Sequence, residues 1–89
     1  MKTTLYILQS QTKHTYYIGV TQNLEQRLQS HNTSAKGYTR NHRPWNVVYQ
    51  IDFESKEKAK NAETVIKRWK SKRMIQLLID RTIRIEDYI

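Results

Sequence analysis

The chain has 89 residues, no cysteine and only two glycines. Those totals exclude a disulfide scaffold, a thiolate metal site and a G-x-G-x-x-G phosphate cradle. Sixteen Lys and Arg against eight Asp and Glu leave a net charge of +8, which draws the chain to phosphate backbones whatever their sequence. The basic residues are spread over several elements and not gathered on one amphipathic helix, which favours nucleic acid over a membrane surface. No apolar run approaches the roughly 20 residues of a membrane span, and the opening MKTTLYILQS is too short for a signal peptide. A single cytoplasmic domain over residues 1–89 is expected.

Thr3 to Leu8 is rich in strand formers and predicts a first strand. A polar connection leads to a second over Tyr16 to Val20, making a hairpin. Gly19 interrupts this strand where glycine is costly, so the strand must bend there or another backbone must come close. Asn23, with Gln26 three residues on, predicts the N-cap of a helix LEQRLQSH with Leu24 and Leu28 on its inner face. The stretch NTSAKGYTRNHRPW is a long polar loop, a kind that often carries function.

NVVYQIDF predicts the third strand, with Val47, Tyr49, Ile51 and Phe53 alternating toward one face. Ser55 caps a second helix, with Glu57 in its first turn. Ala59, Ala62, Ile66 and Trp69 form its buried stripe. Met74, Leu77 and Leu78 mark a third helix or an extension of the second. The tail RTIRIEDYI fits no single pattern. The order is ββαβα with further helix at the end: an α+β fold, a three-stranded antiparallel sheet flanked by helices.

His14, His31 and His42 lack zinc-finger spacing, and eight acids are too few for a carboxylate-rich two-metal site. A metal would rest on one carboxylate, with water and substrate oxygens completing its shell, as Mg²⁺ allows. Arg27 and His31 stand one helical turn apart beside the leucine stripe; a solvated polar face is an equal reading. Glu63 and Lys67 are spaced as an ordinary i, i+4 ion pair, the favoured reading of that pair in isolation. Tyr6, Tyr16 and Tyr17 cluster on adjacent strands, so at least one phenol should face a polar site.

Together these residues resemble the GIY-YIG nuclease family, in particular its small standalone bacterial branch, related to the N-terminal endonuclease domain of the excision-repair protein UvrC. Tyr17-Ile18-Gly19 matches the second half of the name; Leu5-Tyr6-Ile7 keeps the tyrosine of the first half, with ten residues between Tyr6 and Tyr17. Arg27 and His31 take the R-x-x-x-H positions, KGYTRNHRPW…VVY resembles the loop and third strand, and AETVIKRWKSK resembles the helix bearing the metal-binding glutamate, here Glu63. The likeness runs from about Thr3 to Ile79. It departs at Val20, where many members carry lysine, and in having no asparagine after Asn61.

The resemblance implies a metal-dependent endonuclease acting on nucleic acid, DNA in preference to RNA, in repair or recombination. One Mg²⁺ or Mn²⁺ would be held by Glu63. Tyr6 would take the proton of the attacking water, which requires a phenol acidified below its usual value of about 10. His31 would pass that proton on, Tyr17 would orient water or substrate, and Arg27 would stabilise charge on the phosphate. With Val20 in place of lysine, Lys36, Tyr38, Arg40, Arg43 and Lys67 are the nucleic-acid contacts. Target choice would come from nucleic-acid shape or from a protein partner. The rival reading is a nucleic-acid-binding module that does not cut, or cuts only when a partner recruits it. On the nuclease reading Tyr6, Tyr17, Arg27, His31 and Glu63 share one concave surface.

Overall fold

The structure is a computed structural model, and it describes residues 2–33 and 42–89. Strands β1 (Thr3–Ser10) and β2 (Tyr16–Thr21) are followed by helix α1 (Leu24–Thr33), strand β3 (Trp45–Phe53) and helices α2 (Lys56–Trp69) and α3 (Lys72–Ile79). A 3₁₀ turn (Ile85–Asp87) closes the chain. The sheet is antiparallel in the order β2-β1-β3, which is the α+β arrangement expected.

β1 is the central strand, and it reads as an unbroken apolar run because helices cover both of its sides. Leu5 and Ile7 face α2 and α3 and belong to the larger core with Tyr49, Phe53, Ala59, Ala62, Ile66, Ile75, Leu78 and Ile85. Tyr6 and Leu8 face α1 and form a smaller core with Trp45, flanked by Tyr17, Leu24, Leu28 and Val47. Alternate side chains of one strand thus anchor two cores.

The expected alternation of β3 fails at one residue. Ile7 pairs with Tyr49 but Leu8 pairs with Val47, so Val48 is a bulge. Tyr49, Ile51 and Phe53 keep to the larger core, and Val48 joins them. Val47 is turned to the α1 face beside Trp45. An extra residue in one strand reverses the facing of everything before it.

The caps sit where the sequence puts them. Asn23 Oδ1 accepts from Gln26 N (3.1 Å) and Ser55 Oγ from Lys58 N (3.1 Å). α3 is a separate helix and not an extension of α2. Lys70 adopts a left-handed conformation (φ 49°, ψ 34°), and Ser71 Oγ then caps α3 by accepting from Met74 N at 3.3 Å. Ile75 and Leu78 hold its buried positions, and Met74 is only half-buried. The tail is the 3₁₀ turn, tied down by the fully buried Ile85. Among the described residues, no helix is long and apolar enough to cross a membrane.

Candidate active site at the β2 edge

Tyr6 and Gly19 are direct partners across the β1–β2 ladder. The Tyr6 ring passes over Gly19 so closely that a Cβ there would lie 2.6 Å from the phenol oxygen and 2.8 Å from Cζ. The glycine therefore admits a side chain, not a bend or another backbone. It lets the phenol of a central-strand residue reach the edge of the sheet.

At that edge the Tyr6 hydroxyl meets His31 Nε2 at 3.3 Å. His31 is the buried residue of α1. Its ring lies against Tyr17, with centroids 4.6 Å apart, and Trp45 closes the cluster 6.0 Å from Tyr17 and 6.5 Å from His31. Tyr6 and Tyr17 stack at 6.5 Å. Arg27, exposed and one turn before His31, places its guanidinium against the Tyr6 hydroxyl. Tyr6, Tyr17, Arg27 and His31 thus meet on the α1 face.

Glu63 arrives from the other side. Its helix α2 packs on the opposite face of the sheet, against β1 and β2. The Glu63 carboxylate acts on the Tyr6 phenol through its charge, the smallest of the influences on that group. Its side chain is 19% exposed and accepts from Lys67 Nζ at 3.0 Å, so the ion pair read from the spacing does form. Arg43 is exposed and its Nη1 donates to Asn32 O (3.3 Å) at the end of α1. Lys36, Tyr38 and Arg40 lie outside the described residues.

The electrostatics correct one expectation. Tyr6 is 1% exposed, and burial pushes its phenol above the ordinary value of 10.0. Arg27 opposes that rise, while the nearby Tyr17 and Glu63 add to it. Tyr6 is therefore a protonated hydrogen-bonding phenol at neutral pH, not an acidified one. His31 moves the other way: burial first, then the Arg27 charge, hold it below 6.5. A neutral imidazole beside a protonated phenol is a ready acceptor.

Asn32 is a positioning residue that sequence patterns did not reveal. Its Oδ1 accepts from Trp45 N (2.7 Å) and its Nδ2 donates to Trp45 O (3.2 Å). One carboxamide thus satisfies both backbone groups of Trp45 and fixes the end of α1, next to His31, on the start of β3. Its partner is 13 residues away in the chain, beyond the reach of any helix or strand period.

Metal chemistry can be judged from the donor set. Among the described residues, no three His, Cys, Asp or Glu side chains cluster to hold an ion. What is present is one carboxylate that already takes a cation, the Lys67 ammonium. That suits a hard ion that keeps most of its waters and binds substrate oxygens, and it does not suit zinc.

The chain has relatives along most of its length. A family model described as the GIY-YIG catalytic domain matches residues 2–76. A UPF0213 protein of Clostridium perfringens is 35% identical over 85 residues, covering 94% of this chain and 90% of its own. A UPF0213 protein of Streptococcus pneumoniae serotype 4 is 42% identical over 71 residues, 78% of this chain and 70% of that one. The solution NMR structure of a UPF0213 protein from Bacillus halodurans superimposes with a TM-score of 0.56 at 29% identity, covering 88% of this chain and 83% of the other. Matched by that family model over residues 2–76, this chain belongs to the GIY-YIG family.

Proposed function

We propose that the whole chain is one cytoplasmic endonuclease domain that hydrolyses phosphodiester bonds in nucleic acid, DNA in preference to RNA, with one Mg²⁺ or Mn²⁺, in repair or recombination. The observation that carries this reading is the meeting of Tyr6, Tyr17, Arg27 and His31 around a phenol that only glycine leaves room for, with the charge of Glu63 acting on that phenol from the opposite helix. Glu63 is the residue that would hold the ion, which when bound supplies Lewis-acid stabilisation to the phosphate and the leaving oxygen.

The remaining roles belong to the protein. Water attacks phosphorus and gives its proton to the Tyr6 oxygen, while Tyr6 gives its own proton to His31 Nε2. The phenol never needs to stand as phenolate, so its raised pKa is no obstacle. Arg27, already against the Tyr6 hydroxyl, is placed to balance negative charge on the phosphate oxygens. Tyr17, held against His31, orients water or substrate. The bond from phosphorus to the 3′ oxygen breaks and that oxygen takes a proton from solvent water, so the products are a 5′-phosphate and a 3′-hydroxyl.

A second reading has its own observation. Tyr6 is almost fully covered, with Arg27 across it and Lys67 on Glu63. Such a site is consistent with a module that binds nucleic acid and cuts only when a partner shifts Arg27. Labelled DNA and RNA substrates, incubated with Mg²⁺, Mn²⁺ or EDTA, test the two. Metal-dependent cutting by the protein alone supports the first reading; binding without cutting under every condition overturns it.

A further inference from the structure

Beyond the Glu63–Lys67 pair, α2 ends and α3 begins in a run of five cations over residues 67–73 (Lys67, Arg68, Lys70, Lys72 and Arg73). No Asp or Glu occurs in the sequence between Glu63 and Asp80. The left-handed turn at Lys70 folds this run back on itself. Lys67, Lys70 and Lys72 consequently line a single cleft of about 320 Å³, floored by Tyr16, Ile18, Ile66 and Ile75. Among the described residues, neither Lys70 nor Lys72 is ion-paired to a carboxylate.

We infer that this cleft is a second phosphate subsite, in which Lys70 and Lys72 hold the nucleic-acid strand a short step beyond the bond that is cut. Lys67 joins the two places, since it pairs with Glu63 and also lines the cleft. One helical turn, about 5.4 Å, separates Glu63 from Lys67. At roughly 3.4 Å per nucleotide along a strand, the cleft then lies one to a few nucleotides away. A rim of ammonium groups over an apolar floor with one tyrosine suits a sugar–phosphate chain, which presents charge outward and a flat ring inward. The ligand named here rests on the nuclease reading; the cleft and its cations do not.

The test is binding in EDTA, which needs no cutting. Wild type is compared with the double variant Lys70→Gln/Lys72→Gln and with the control Lys58→Gln/Arg84→Gln; each variant loses two cations, the control's lying away from the cleft. Binding of a short labelled single strand and of its duplex is titrated across a series of salt concentrations. The cleft variant should bind at least about tenfold more weakly at low salt, and its log–log salt slope should fall by roughly 0.9 for each phosphate lost. The control should change by less than half as much. Equal losses in the two variants, or an unchanged slope in the cleft variant, overturn the subsite. A cleft variant that releases anionic vesicles while keeping its grip on the oligonucleotides overturns it too, in favour of a lipid surface. Loss of binding by the cleft variant, in a protein that cuts nothing with any metal, upholds the subsite and removes the nuclease reading alone.

Discussion

The Tyr6 hydroxyl and His31 Nε2 lie 3.3 Å apart in a site that raises the proton affinity of the first group and lowers that of the second. Neutral His31 is the form that can accept. Because its folded pKa lies below 6.5, cleavage should hold its rate through pH 6.5 and fall only at lower pH. Replacing His31 with Gln should slow cutting by about 10²–10⁴-fold, the usual range for losing a proton-transfer group, and abolish the acid limb. An acid limb that persists in the variant would assign it to another group.

The same shift predicts a stability effect with a definite sign. At a pH between the two pKa values the unfolded chain binds the His31 proton and the folded chain does not, so stability rises with pH there. The contribution is complete above about 6.5, the unfolded value, and is lost as pH falls through the folded pKa. Melting temperature should therefore drop with acidification below that point, and His31→Gln should flatten this part of the curve. Identical curves for the two proteins would show that His31 is not the titrating group.

Gly19→Ala should destabilise the protein by about 1–3 kcal/mol, the usual cost of overpacking, because the added methyl meets the Tyr6 phenol. The cost should shrink when Tyr6 is Phe, since the oxygen is the nearest atom. A double-mutant cycle by denaturant melts reads the coupling directly. Equal costs in both backgrounds would place the glycine requirement elsewhere.

Glu63→Gln removes the charge that attracts a divalent cation while leaving shape and helix propensity nearly intact. Cutting should fall by orders of magnitude, as far as EDTA takes wild type. Binding to oligonucleotides in EDTA should persist or tighten. Stability should move by only about 0.2–0.5 kcal/mol, the value of a helix-surface ion pair. A variant that cuts as well as wild type would falsify the metal-binding role.

Asn32→Ala leaves both backbone groups of Trp45 without their partner. A loss of about 1–3 kcal/mol is expected, with faster hydrogen exchange at the Trp45 amide. Asn32→Asp keeps the acceptor but loses the donor, so it should protect that amide better than Ala does. Protection unchanged in the alanine variant would mean that other contacts hold the β3 start.

What the sequence made legible is what depends on local spacing. The strand run Leu5–Leu8, the caps at Asn23 and Ser55 and the stripe Ala59, Ala62, Ile66 follow from rules that span a few residues, and the structure has them. Of the five residues singled out on the family pattern, Tyr6, Tyr17, Arg27 and His31 meet on the α1 face, whereas Glu63 stands on the helix packed against the opposite face of the sheet and reaches Tyr6 only through its charge. The bulge at Val48 was hidden because Val47 and Val48 are equally apolar, so neither face is preferred by composition. The clamp of Asn32 on Trp45 was hidden because it is a contact between distant segments. The raised pKa of Tyr6 was hidden because it comes chiefly from burial, which a motif does not record.

The single extra residue in β3 makes the strand serve two frames. From Tyr49 onward it is in phase with the larger core; before Val48 it is in phase with the α1 side. Facing follows pairing, and Val47 and Trp45 look toward α1 because they stand opposite Leu8 and Ser10. Deleting Val48 would keep both pairs and both facings, and would remove only the bulge and one partly buried valine of the larger core. Straightening the ladder with Val48 kept would instead set Val48 on Leu8 and Asn46 on Ser10, and Trp45 would slide past the end of β1 and turn away from Tyr17 and His31. The surplus residue is slack taken up in the strand, which lets a nine-residue segment meet both faces of an eight-residue partner.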